Sequence, residues 1–175
     1  DLVMDGKEVG QNPRQVLKRA IAAAAAEGFE LKTGVECEYF LISPDGSAIP
    51  DAADTQSKPC YDQQVLMRRY DVIAEVCDAM IAMGWSPYQH DHEDANGQFE
   101  MNWDYDSALA TADKHVFFKY MVKSIAEKHG LRATFMPKPF VHLTGNGCHV
   151  HASLWSTKTG KNVFEDASGP LGLSE

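Results

Sequence analysis

Polar and apolar residues alternate with a period of two along residues 31–42. Val35, Cys37, Tyr39 and Leu41 fall on one face and Glu36, Glu38, Phe40 and Ile42 on the other, the signature of a strand. Upstream the spacing is helical. Asn12-Pro13 followed by Val16, Leu17, Ala20 and Ile21 reads as an N-cap, a proline at the first helical position and an amphipathic helix closing near Gly28. Asp45-Gly46 makes a turn after the strand. A second helix is expected over about 61–83, with Leu66, Tyr70, Ile73, Val76, Cys77, Met80 and Ile81 as its apolar stripe and Gly84 as its stop.

Residues 85–93 and 98–105 read as extended segments joined through Asn96-Gly97. A third helix follows over about 107–129, capped by Asp106 and ended by Gly130. Beyond it, 132–136 is extended, Gly145-Asn146-Gly147 forms a loop and 148–155 is a strand. Thr157-Lys158-Thr159-Gly160 connects that strand to Asn162-Val163-Phe164 as a hairpin. The pattern gives an α+β fold, a mainly antiparallel sheet covered on one face by long helices.

Composition narrows the function classes. A chain of 175 residues with three Trp, six Tyr and eight Phe has the apolar area that disordered chains lack. The run Ala20 to Ala26 is far too short for a membrane span. With 25 acids against 16 basic residues and a net charge of −9, a nucleic-acid partner is disfavoured and cations are favoured. Cys37, Cys60, Cys77 and Cys148 contain no C-x-x-C pair, which reads as free thiols in a reducing cytoplasm. No leader pattern is visible at the start, which is Asp1 rather than methionine, so the chain is expected to be a fragment.

Candidate chemistry sits on alternating strand positions. Glu36 and Glu38 project from one face about 7 Å apart. Glu93 and Glu100 flank the Asn-Gly turn and meet if their segments pair. His149, His151 and Ser153 share a face of the 148–155 strand. Any one of these suits a solvated acidic or polar surface. Together, four carboxylates and one or two imidazoles suit Mg²⁺ or Mn²⁺.

Three segments carry a family resemblance. Gly34-Val35-Glu36-Cys37-Glu38-Tyr39-Phe40-Leu41, then His92-Glu93-Asp94-Ala95-Asn96-Gly97-Gln98-Phe99-Glu100, then Met136-Pro137-Lys138-Pro139 with the stretch from Gly145 to Trp155 resemble the ordered motifs of glutamine synthetases. The match runs from about Asn12 to Trp155. It implies residues 1–11 as the tail of a preceding N-terminal region and 12–175 as a partial catalytic domain, cut at its C-terminus and inactive by itself. Glu100-Met101-Asn102-Trp103 with His90-Asp91-His92 upstream looks most like the subgroup of γ-glutamylmethylamide synthetases and type III enzymes.

The resemblance implies an ATP-dependent ligase that joins ammonia to the γ-carboxylate of L-glutamate through γ-glutamyl phosphate, with two or three Mg²⁺ or Mn²⁺ ions. Glu38, Glu93 and Glu100 would hold the first metal, Glu36 and His149 the second. His151, Ser153 and Tyr105 would contact ATP, and Gly145 and Thr144 the glutamate. Thr144 and Cys148 depart from the residues common at those positions. A cytoplasmic homo-oligomeric ring, dodecamer-like, is implied for the full-length protein. The alternatives are a γ-glutamyl ligase using methylamine or another amine, and a non-catalytic relative that binds metal and nucleotide.

Overall fold

The computed structural model describes residues 1–174. The chain divides into two compact units. One comprises Asp1–Gly34, Tyr105–Asp113 and the residues from His151 on; the other comprises Val35–Asp104 and Lys114–Val150.

The first residues form a small antiparallel hairpin of β1 (Val3–Met4) and β2 (Lys7–Glu8). Asp5 and Gly6 turn it with φ of 51° and 74°, as a tight two-residue turn with both central φ values positive requires. Helix α1 (Pro13–Ala26) starts where expected, Asn12 Oδ1 accepting from the Arg14 amide at 3.1 Å. Its expected apolar stripe is not buried: Gln15 is the residue of α1 that is buried, and Val16 stays 47% exposed.

Strand β3 (Phe29–Ile42) is the spine of a six-stranded sheet. The expected second helix is two helices, α2 (Gln63–Arg68) and α3 (Tyr70–Ala82), interrupted at Arg69 with φ −115° and ψ 15°. Asp62 caps α2 by accepting from the Gln64 amide at 2.9 Å. The buried stripe runs through Val65, Val72, Ile73, Val76 and Met80, whereas Tyr70 and Ile81 are exposed.

Strands β4 (Pro87–His92) and β5 (Gln98–Trp103) pair antiparallel as a hairpin. A short strand β6 (Asp106–Ser107) precedes α4 (Ala108–Lys128). Then come β7 (Arg132–Thr134) and β8 (Cys148–Ser156). The sheet order is β4-β5-β3-β6, with β7 and β8 also pairing β3. After β8, Trp155 bridges Asn162 antiparallel, so the expected connection forms but its second arm is not a continuous strand. No helix among the described residues is long and apolar enough to cross a membrane.

In the second unit the core lies between the sheet and its helices. Val35, Cys37, Tyr39 and Leu41 of β3 and Phe99, Met101 and Trp103 of β5 pack against the buried faces of α2, α3 and α4, the last supplying Phe118, Val122 and Ala126. The other face of β3 has a smaller cluster, Phe40 and Ile42 against Ala95, Ile49, Phe140 and Leu143. Glu36 and Glu38 lie beyond it on the same face.

Candidate metal centre

Backbone register brings the carboxylates together. In the β3–β5 ladder Glu38 is directly opposite Glu100, and in the β4–β5 ladder Asp91 is opposite the same Glu100. Opposed residues in an antiparallel pair have Cβ atoms about 4.5–5.5 Å apart, so three acids from three strands converge. Glu93, at the start of the β4–β5 loop, completes the group. Carboxylate oxygens of Asp91, Glu93 and Glu100 all lie within 4.8 Å of one another. A second triad, Glu36, Glu100 and His149, satisfies the same limit, and His149 Nδ1 sits 3.1 Å from Glu36 Oε2. Glu100 belongs to both.

This face is electrostatically loaded. Burial, followed by the charges of Glu100, Glu38 and Asp91, pushes the Glu93 carboxyl up to about 7. Burial also raises Glu100, opposed by a hydrogen bond from Asn102 and reinforced by Glu36, Glu38 and Asp91. Like charges at this separation disfavour joint ionisation. A cation would reverse both effects.

Buried amides and acids fix the surrounding loops. Gln98 is fully buried, and its Nε2 lies 3.0 Å from each of Glu38 Oε2, the Gly145 carbonyl and Asn146 Oδ1. Glu38 is thus held beside the Gly145-Asn146-Gly147 loop. A Cβ at Gly145 would sit 2.4 Å from the Pro137 carbonyl oxygen, and one at Gly147 would sit 2.7 Å from Glu38 Oε1. Neither position has room for a side chain without movement. Thr144 precedes this loop and is exposed.

The hairpin loop is anchored by Asp54, whose side chain and that of His92 are fully buried. Asp54 accepts from the Gly97 amide at 2.7 Å and from Asn96 Nδ2 at 2.8 Å, and pairs with His92 Nε2 at 2.9 Å. His90 is half-buried, burial pushes its imidazole down to about 3, and its Nε2 meets the Tyr39 hydroxyl at 2.9 Å.

Tyr105, His151 and Ser153 belong to the first unit. There Tyr105 stacks on Trp155 with ring centroids 6.4 Å apart, Lys32 Nζ lies 4.0 Å over the Trp155 ring, and Ser153 Oγ accepts from Trp155 Nε1 at 2.9 Å. Tyr105 remains 57% exposed.

The glutamine synthetase catalytic-domain pattern matches residues 10–175 of the chain. The chain belongs to the glutamine synthetase family. A protein of Rhizobium meliloti named glutamine synthetase is 68% identical over 174 residues, 99% of this chain and 40% of its own length. The glutamate–methylamine ligase of Methyloversatilis universalis is 41% identical over 171 residues, 97% of this chain and 38% of its own. A solved GmaS/ADP complex, 66% identical, superposes with a TM-score of 0.93 over 97% of this chain and 39% of that one. The chain spans about two-fifths of the length of the curated relatives it matches.

The donor set suits a divalent ion. The acids supply hard oxygen with one imidazole, a combination for Mg²⁺ or Mn²⁺, and burial raises both the Glu93 and Glu100 carboxyls, an effect a bound cation would oppose. Three further residues contribute that sequence reasoning missed. Asp91 stands two residues before Glu93 on an alternating strand, a spacing legible in principle. Gln98 lies inside a motif where its neighbours assign it no role, and Asp54 carries no local signal because its partners are 38 to 43 residues away.

Proposed function

We propose that this chain is the metal-holding part of an ATP-dependent ligase that joins ammonia to the γ-carboxylate of L-glutamate through γ-glutamyl phosphate, in the cytoplasm and as a homo-oligomeric ring. The observation that supports this most directly is the pair of triads sharing Glu100. Glu38, Glu93, Glu100 and the added Asp91 would hold the ion beside glutamate and amine; Glu36 and His149, with the shared Glu100, would hold the ion beside the ATP phosphates. Those ions would neutralise the charge that spreads over phosphate oxygens during transfer.

The chain's own residues prepare the site. The acidic face attracts ammonium, which must give up a proton to become the nucleophile ammonia. Gln98 and Asp54 keep Glu38 and the Glu93 loop in place, while Gly145 and Thr144 form the glutamate loop. Ser153 Oγ accepts from Trp155 Nε1, which leaves its own hydrogen free for a phosphate oxygen. The exposed ring of Tyr105 is the surface for adenine, with His151 beside Ser153 along the strand.

The likeness to the GmaS/ADP complex favours a second reading, in which methylamine is the acceptor. One methyl group changes transition-state binding by only about 1–3 kcal/mol, so the comparison must be kinetic. Phosphate release by the full-length protein with ATP and glutamate would be followed with ammonia and with methylamine, the larger kcat/KM naming the acceptor. Glu100→Gln is expected to lower either rate on the order of a hundredfold. Silence with both amines would sink both readings. Calorimetric titration with Mn²⁺ adds a readout independent of turnover, in which binding left unchanged by Glu38→Ala would count against the first-ion assignment.

A further inference from the structure

On the helix-facing side of the same sheet, three donors meet that the carboxylate centre does not use. Cys37 of β3, His115 of α4 and Cys148 of β8 each offer one atom, and the three atoms lie within 4.8 Å of one another. Both cysteines are free thiols, hydrogen-bonded to each other. His115 Nδ1 is buried with no hydrogen-bond partner, although buried ring nitrogens are ordinarily satisfied. Cys37 is walled off at 2% exposure, while Cys148 is open to solvent. The cluster therefore has a dry floor and an entrance.

We propose that Cys37, His115 and Cys148 form a zinc-class site, taking a thiophilic divalent cation with water in the fourth position. Bond lengths of about 2.3 Å to sulfur and 2.0–2.1 Å to nitrogen place tetrahedral ligand atoms roughly 3.5–4 Å apart. Donors already within 4.8 Å reach that arrangement by small side-chain rotations. Two S–H bonds break, two sulfur–metal bonds form and two protons leave to solvent; no electron moves. Two thiolates and a divalent ion sum to zero, so the Lys119 ammonium that faces all three donors meets a neutral centre.

Sulfur and imidazole select for this class of ion, whereas the carboxylates behind them select for Mg²⁺ or Mn²⁺. Strand β3 thereby presents a hard-cation face and a soft-cation face on alternate residues. This inference is independent of the ligase reading.

The test uses the reduced, metal-free full chain titrated with Co²⁺, whose thiolate charge-transfer and tetrahedral bands report sulfur ligation directly, and then with Zn²⁺ against a chromophoric chelator. The expected result is a charge-transfer band that Zn²⁺ displaces and saturating Mg²⁺ does not. Cys148→Ser should abolish the band, and His115→Ala should weaken Zn²⁺ binding on the order of a hundredfold. Cys77→Ser, outside the cluster, should leave both unchanged, with circular dichroism confirming that each variant is folded. A reduced protein without the band, a band surviving Cys148→Ser, or displacement by Mg²⁺ would each overturn the proposal.

Discussion

The two faces of β3 are made of alternate residues on one strand and are stabilised in opposite ways. Val35, Cys37, Tyr39 and Leu41 are between 0 and 9% exposed and pack on helices, each fully buried large side chain contributing about 1.5–3 kcal/mol by leaving water. That term is indifferent to pH and to ions. Glu36 and Glu38 on the other face stay half-buried beside Glu100, where crowding of like charges costs free energy until a cation cancels it. The helix side thus supplies most of the apolar burial, and the acid side gives up part of that stability to crowded carboxylates. A ribbon one residue thick separates them.

The comparison breaks most visibly in the core. Phe99→Ala removes a fully buried ring packed on Tyr39, His90 and His92 and should cost about 3–5 kcal/mol in denaturant unfolding. Under conditions where the variant is still folded, its Mn²⁺ affinity should match that of the wild type. A matching loss of affinity would show that the two faces are not separable.

Asp54→Ala should come next, at about 2–3 kcal/mol, because the Gly97 amide, Asn96 and His92 each lose a buried partner. Unlike Phe99→Ala it should also weaken Mn²⁺ binding, since the loop it releases carries Glu93. Asp54→Asn should recover part of both, measured by calorimetry and denaturant midpoint.

Glu100→Gln is expected to invert the pattern. Relief of repulsion should leave the metal-free chain unchanged or more stable by up to about 1 kcal/mol, while Mn²⁺ affinity falls on the order of a hundredfold. A clear loss of metal-free stability would mean that Glu100 holds the fold rather than ions.

The smallest effect is in pH. Glu93 is raised in the fold from an ordinary 4.5 to about 7, so the fold favours its protonated form. That contribution is complete below the ordinary carboxylate value and is lost as pH rises through about 7. The thermal midpoint of the metal-free chain should therefore fall more steeply from about pH 5 to pH 8 than that of Glu93→Gln. Saturating Mg²⁺ should remove the difference. Parallel slopes without metal would rule out Glu93 as the titrating group.

What the sequence makes legible follows from how local each cause is. The alternation along β3 and the arrest of α4 before Gly130, whose φ is 70°, are written in neighbouring residues. The Arg69 break is not, because no Gly or Pro marks it and the apolar spacing runs straight through. Nor is the exposure of α1, whose apolar stripe has the right period although Val16 stays 47% exposed. The motifs name Glu36, Glu38, Glu93, Glu100 and His149. Only the ladder register reveals that Asp91 and Glu38 both oppose Glu100, and only three-dimensional folding brings Asp54 under the loop that it ties down.

The Gln98 amide has two hydrogens and three acceptors at equal distance, Glu38 Oε2, the Gly145 carbonyl and Asn146 Oδ1. By simple stoichiometry one acceptor is always in surplus. If Glu38 turns towards an incoming ion, Gln98 can give both hydrogens to the loop and lose nothing, whereas a side chain held by a dedicated donor would leave that donor stranded. An oversubscribed amide of this kind makes its carboxylate inexpensive to recruit. Such an amide would release Glu38 to an ion without loosening the 145–147 loop.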